Sequence, residues 1–309
     1  MSRIHEALQR AYLERGKMSN LAEIPLNDPE SIPVLEPIPV AKSEIIVEDI
    51  PRHAWKPSLP SLPTLMDRGT GVEQFRSLRS HIYQSRYETP LKTILVASGM
   101  PSEGKSFVAA NLAMSLARNS IHNILLIDGD LRRPTLHDLL GAPNTVGLTD
   151  YLEGSAEIGE ILQRDLDHDA SGNGTSTSIS NLTFISSGKR TDHSSELVAN
   201  IRMKELISSV SPYFDWIVID APPVLAVTDG VELARDADAV LLVARTAITP
   251  YEVAQRAMAA FSNSRVLGFV LNDVKEAPRG GAYSYNYNYY YRSEPEKDGS
   301  AKRSQDNGR

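Results

Sequence analysis

The stretch Gly99-Met100-Pro101-Ser102-Glu103-Gly104-Lys105-Ser106 constrains this chain more than any other, because it reads G-x-x-x-x-G-K-[ST]. An apolar, β-rich run at 93–97 feeds it and a helical pattern at 105–118 leaves it. In that setting the backbone from Gly99 through Met100, Pro101, Ser102, Glu103 and Gly104 can wrap a row of phosphates, and the helix N-terminus adds positive potential. Lys105 then bridges the β- and γ-phosphates and the Ser106 hydroxyl binds Mg²⁺. The motif therefore predicts a site for ATP and Mg²⁺.

The fold class follows from what surrounds the loop. Further strands are expected at 123–127, 182–186, 216–219, 239–244 and 266–271, with helical patterns between them and a helix at 71–86. Short apolar strands alternating with helices predict an α/β P-loop NTPase, a mostly parallel sheet with helices on both faces. Ligands of such sheets bind beyond the carboxyl ends of the strands. Ile124-Leu-Leu-Ile-Asp128-Gly-Asp130-Leu-Arg132 and Trp216-Ile-Val-Ile-Asp220-Ala-Pro-Pro both carry carboxylates there. Asp128, Asp130 and Asp220 are thus expected to converge on the phosphate loop, where a carboxylate holds Mg²⁺ or serves as a base. Acidic residues in such places also cap the helix that follows a strand.

Composition removes whole classes of chemistry. The 309 residues include no Cys, which excludes disulfide scaffolds, thiolate zinc sites and iron–sulfur clusters and fits a reducing cytoplasm. A formal net charge of −7 argues against nucleic acid as a partner. The longest apolar runs, 124–127 and 240–244, are of strand length, and the N-terminus lacks the apolar segment of a signal peptide. The expectation is a soluble, cytoplasmic chain whose membrane association is peripheral or through a partner.

Residues 1–20 hold a short amphipathic helix with Ile4, Leu8, Ala11 and Tyr12 on one face, either a frayed terminus or a docking device. Nine of the 19 prolines fall between 25 and 63, which predicts an extended linker over 21–65, and so a flexible N-terminal arm, ahead of a main domain at 66–280. The Gly- and Ser-rich segment 166–181 reads as a flexible loop. A cluster at 281–292 contains Tyr283, Tyr285, Tyr287, Tyr289, Tyr290 and Tyr291, and the charged tail 293–309 is expected to be disordered.

Together, the phosphate loop, Asp-x-Asp-x-Arg after the second strand, Asp-x-Pro-Pro after a later one and the tyrosine cluster resemble the bacterial tyrosine kinases. The likeness is to the stand-alone cytoplasmic type found with capsule and exopolysaccharide biosynthesis, and it spans about 68–291. Glu73-Gln-Phe-Arg76-Ser-Leu-Arg79 fits that family's E-x₂-R-x₂-R helix. The spacing puts Glu73, Arg76 and Arg79 along one side, and the resemblance implies that this side packs on a neighbouring subunit and closes a ring.

The resemblance further implies that Asp128 orients or deprotonates an incoming tyrosine, that Asp130 and Asp220 serve Mg²⁺, and that Lys105 serves the transferring phosphate. A phenol, with an ordinary pKa of about 10, needs such help to act as a nucleophile at neutral pH. Asn272 stands where the family reads adenine, although an Asn-Asp pair also suits a turn. The implied activity is an ATP-dependent protein-tyrosine autokinase that phosphorylates its tyrosine cluster in trans. The implied partners are a membrane adaptor of the polysaccharide chain-length type and a phosphotyrosine phosphatase.

Related MinD/ParA ATPases carry a lysine directly after the first loop glycine, where this chain has Met100. A MinD/ParA-like positioning ATPase and a non-catalytic, nucleotide-gated scaffold are the alternatives, and the tyrosine cluster taken alone also reads as a sticky low-complexity segment. No function is carried onto 188–197, where His193 and Ser194 replace the family's Asn-Pro.

Overall fold

Eight strands form one sheet in the computed structural model, which describes residues 45–66, 68–118, 121–166 and 181–274. The strands are β1 (Arg52–His53), β2 (Thr93–Ser98), β3 (Ile124–Asp128), β4 (Leu162–Asp165), β5 (Leu182–Ile185), β6 (Trp216–Asp220), β7 (Ala239–Arg245) and β8 (Val266–Asn272). The helices are α1 (Thr70–Glu88), α2 (Lys105–Ala117), α3 (Leu136–Leu140), α4 (Leu148–Glu153), α5 (Ile158–Ile161), α6 (Ser194–Val198), α7 (Ile201–Val210), α8 (Asp229–Leu233) and α9 (Tyr251–Ala260). The strand order is β1-β4-β5-β3-β6-β2-β7-β8, and every pairing is parallel except β4 with β5. Among the described residues no helix is long and apolar enough to cross a membrane.

The central strands are apolar on both faces because helices cover both. Leu125, Ile127, Ile217 and Ile219 face a layer built from α4, α7, α8 and α9, whereas Ile124, Leu126, Trp216 and Val218 face α1 and α2. With a side-chain period of two, Asp128 and Asp220 continue the second set, so they lie on the α2 side. The expected strands are found, each to within about a residue at its ends. The polar strand β4, Leu-Gln-Arg-Asp, was not expected; it carries no β-type pattern, and its pairing depends on β5 and β1 arriving beside it.

The linker expected over 21–65 is corrected in its described part. Residues 45–65 pack onto the domain rather than standing off it. Arg52 and His53 pair in register with Arg164 and Asp165. Trp55 is buried edge-on against Phe184, with ring centroids 6.0 Å apart, and its backbone N–H donates to Asp165 Oδ1 at 3.0 Å. Leu62 is buried, and the Thr64 hydroxyl donates to Asn111 Oδ1 at 2.8 Å. The prolines that argued for a free linker instead fix short turns between these anchors, since Pro60 is the second residue of one 3₁₀ turn and Pro63 the first of the next. The N-terminal helix, residues 21–44 of the linker, nearly all of the loop at 166–181, the six tyrosines and the tail lie outside the described residues.

Candidate functional site

The phosphate loop connects β2 to α2 as expected, and Gly104, the residue before Lys105, has φ of +95°. A side chain there would adopt a disfavoured backbone and collide with the Asn272 amide. Three contacts staple the loop in shape. Glu103 is 2% exposed, and one of its carboxylate oxygens accepts from the Met100 N–H at 2.6 Å. The other accepts from the Thr249 hydroxyl, and Asn272 Nδ2 donates to the Glu103 carbonyl at 3.0 Å. The amide of Asn272 is therefore engaged with the loop itself.

The carboxylates converge as expected. Asp128 and Asp220 are register partners on β3 and β6, and both are completely buried. Gly129 keeps them close, since its N–H donates to the Asp220 carbonyl at 2.9 Å and a Cβ would come within 2.8 Å of that oxygen. Lys105 Nζ lies 2.9 Å from Asp130 Oδ2, 4.0 Å from Asp220 Oδ2 and 3.3 Å from the Ser106 hydroxyl. Burial works against the charge on Lys105, but the Asp220 and Asp130 carboxylates outweigh it and raise its pKa, so it stays an ammonium.

The two buried aspartates behave differently. Both Asp220 oxygens lack a hydrogen-bond partner, and burial pushes the carboxyl up to about 6 against the pull of Lys105. Asp128 is raised well above the ordinary carboxylate value, chiefly by burial and then by Asp220. Its oxygens are nonetheless occupied: Oδ1 accepts from the Asp130 N–H at 3.3 Å, and Oδ2 accepts from the N–H groups of Thr135 and Leu136 at 3.2 and 3.1 Å. Asp128 thus holds the start of α3 and the loop that carries Asp130. Each oxygen has more than one lone-pair direction, so these bonds leave it capacity to accept a further proton.

Orphaned, buried Asp220 oxygens beside a nearly buried Ser106 hydroxyl fit a hard, oxygen-seeking dication. Among the described residues no group of three or more His, Asp or Glu is placed to hold a metal ion by itself. The loop opens on a cavity of about 470 Å³ lined by Gly104, Lys105, Ser106, Asp130, Arg132, Arg133 and the Pro222-Pro223 pair.

Glu73, Arg76 and Arg79 lie on α1, away from this cavity. Glu73 and Arg76 pair with each other at 2.7 Å, whereas Arg79 donates to the Ser115 carbonyl of α2 at 2.5 Å. Arg76, Arg79 and Arg118 line a second cavity of about 430 Å³ between α1 and α2. Sequence reasoning missed the Glu103–Thr249 contact and a cluster of Ser194, Ser195 and Asp229 around Arg132. Arg132 stood out in Asp-x-Asp-x-Arg, but nothing local marked its partners.

Residues 94–294 match the family model of the CobQ/CobB/MinD/ParA nucleotide binding domain. The chain is 33% identical over 205 residues to the tyrosine-protein kinase YwqD of Bacillus subtilis, covering 66% of this chain and 81% of that protein. It is 32% identical over 227 residues to the tyrosine-protein kinase Ptk of Acinetobacter johnsonii, covering 73% of this chain but only 29% of Ptk, so it spans under a third of that relative. Among solved structures it resembles the chimerical protein CapA2B2, with a TM-score of 0.63, 26% identity and coverage of 74% and 96%. It also resembles the kinase domain of the Escherichia coli tyrosine kinase ETK, with a TM-score of 0.56, 28% identity and coverage of 68% and 80%.

Proposed function

Because the chain belongs to the CobQ/CobB/MinD/ParA nucleotide-binding family and, within it, to the bacterial tyrosine-protein kinases, we propose that it transfers the γ-phosphoryl group of ATP to tyrosine hydroxyls of its own cluster, Tyr283, Tyr285, Tyr287, Tyr289, Tyr290 and Tyr291. The observation that carries this reading is the pairing of Asp128 with Asp220 at adjacent strand ends, beside Lys105 and Asp130 at the mouth of the phosphate loop.

In this reading the loop amides and Lys105 hold the β- and γ-phosphates, exchanging the carboxylates that now engage Lys105 for phosphate oxygens. Ser106, Asp130 and Asp220 would hold Mg²⁺, which supplies charge neutralisation along the transferring group. Asp128, raised by burial, accepts the phenolic proton as the phenol oxygen bonds to the γ-phosphorus and the bond to the β–γ bridging oxygen breaks. ADP leaves and phosphotyrosine remains. Asn272 serves first as a staple of the loop, and its remaining amide oxygen is free to meet a purine edge.

The wider assignments rest on the family resemblance. They are phosphorylation in trans within a ring closed by Glu73, Arg76 and Arg79, control of capsular or exopolysaccharide biosynthesis and export, and recruitment to the inner face of the membrane by a chain-length-type adaptor. A phosphotyrosine phosphatase would reset the cycle. Accumulating phosphotyrosines, each adding about −1.5 to −2 charge to an already acidic chain, would loosen the ring.

The test is incubation of purified protein with Mg-ATP, followed by phosphotyrosine detection and site mapping, beside a Lys105→Met control. Phosphate on the cluster in the wild type alone supports the reading. ATP hydrolysis without phosphotyrosine, even with an activating adaptor segment added, would move the chain to the positioning ATPases.

A further inference from the structure

We propose that Arg132 is a catalytic cation for phosphoryl transfer, supplied from within the same chain, and that Asp229, with Ser195, positions it; the role rests on the phosphoryl-transfer reading of the site. Arg132 lies two residues beyond Asp130 and lines the phosphate cavity alongside Lys105 and Ser106. Its Nε donates to Asp229 Oδ2 at 3.2 Å, and its Nη2 donates to the Ser195 hydroxyl at 3.0 Å. Those two bonds fix one edge of the guanidinium and leave Nη1 unconstrained by them. A third of the side chain remains exposed, in a residue that lines the cavity.

The anchor is built more firmly than an ordinary surface ion pair. Asp229 is 1% exposed, at the start of α8. Besides Arg132 it accepts from the hydroxyls of both Ser194, at 2.5 Å, and Ser195, at the start of α6. Burial works against its charge, yet the two serines and then Arg132 outweigh burial and hold the carboxyl below its ordinary value. The Arg132 guanidinium thus meets a carboxylate whose charged form its neighbours favour. Three separate segments meet in this cluster, so the arginine is aimed by tertiary structure and not by its own loop.

Of the two arginines that line the cavity, Arg132 is the one whose guanidinium is held by side-chain bonds among the described residues. Lys105 is shared with Asp130 and Asp220, so its charge is partly spent before phosphate arrives. Negative charge redistributes over the transferring group and the bridging oxygen as the bond to the leaving ADP breaks. A cation already held in place stabilises that change without reorganising. Arg132 takes no proton and makes no bond in the step; it contacts oxygens of the transferring group. A planar fork suits that contact better than an ammonium does.

The test compares wild type, R132A, R132K, D229N and the D229N/R132A double variant in full-length protein. Phosphotyrosine formation and inorganic phosphate release are both followed under single turnover, and ADP binding is followed by titration. R132A should lower the transfer rate by on the order of 10³-fold while ADP affinity stays near wild type. R132K should fail to restore the rate, whereas added guanidinium ions should partly restore R132A and leave wild type unchanged. D229N should slow transfer in the wild-type background and have no further effect in R132A, because it acts through the arginine. A wild-type rate in R132A overturns the catalytic role, and an equal loss from D229N in both backgrounds overturns the positioning role. S195A, which removes one anchor and no buried charge, should show a smaller rate loss of the same kind if D229N does not fold, and a wild-type rate in S195A would remove Ser195 from the positioning role. Phosphate release without phosphotyrosine in wild type would refute the kinase reading while leaving the R132A comparison intact for hydrolysis.

Discussion

Asp128 and Asp220 face one another across adjacent parallel strands, in register and fully buried, with their carboxylates on the side of the sheet covered by α2. Burial disfavours charge on both acids and Asp220 adds to the effect on Asp128, and the nearby Lys105 ammonium offsets this only in part. The pairing is unfavourable for the folded chain alone and useful to a site that receives Mg²⁺ and phosphate. Such a conflict between stability and local chemistry is common at functional sites.

The Asp220 carboxyl, raised to about 6 from an ordinary 3.8, gives a pH signature. A group whose pKa is raised by folding stabilises the protein fully below its unfolded value and loses that contribution as pH climbs through the folded value. The nucleotide-free protein should therefore lose about 2–3 kcal/mol from this group between about pH 4 and pH 6. Melting curves of wild type and D220N across that range should diverge, with D220N the more stable at neutral pH. D220N should also lose Mg-dependent nucleotide binding. Parallel melting curves would show that Asp220 is not strained.

Lys105→Met leaves Asp130 without its ion pair and the phosphates without their bridging cation. Phosphoryl transfer should fall below detection, and ATP affinity should fall more than ADP affinity, because the γ-phosphate loses the most. Titrating both nucleotides against the variant measures the difference.

Asn272→Ala separates two readings of one side chain. Loss of the bond to the Glu103 carbonyl loosens the loop for every nucleotide, so ATP and GTP should weaken together, by about 1 kcal/mol. A loss confined to adenine nucleotides would instead show that the amide reads the base. Competition titrations with the two triphosphates distinguish them.

Gly104→Ala should be more severe. The substitution forces a side chain into φ of +95° and against Asn272, so nucleotide binding should be abolished and the melting midpoint lowered by a cost on the order of 1–3 kcal/mol. A variant that binds ATP normally would mean that the loop rearranges on binding.

Trp55→Ala tests whether residues 45–66 belong to the domain. The indole is 4% exposed and packs on Phe184, so truncation should cost about 3–5 kcal/mol in chemical denaturation. A free linker would give no change.

The legible parts of this protein were those whose signal is local. The phosphate loop is legible because its glycine and lysine spacing is dictated by backbone contact with phosphate over eight consecutive residues. Strands β2, β3, β5, β6 and β7 are legible because a strand buried on both faces is mostly apolar, and Asp128 and Asp220 stand out because each ends such a run; β8, a half-exposed edge strand, is legible from its apolar run alone. The packing of 45–66 was hidden because its apolar anchors, Ile50, Trp55 and Leu62, follow no period, and their prolines look alike in a free linker and in a strap bound to a sheet edge.

By itself, then, the sequence determined an α/β sheet and a phosphate-binding loop with acidic strand ends, since each follows from residues adjacent along the chain. Tertiary structure alone decided that Asp128 stands opposite Asp220, that Glu103 meets Thr249, and that Arg132 reaches Asp229, 97 residues away. Those partnerships depend on strand order and on which elements come to lie side by side. A buried polar group takes whichever partner the packing delivers, and no local pattern encodes that partner.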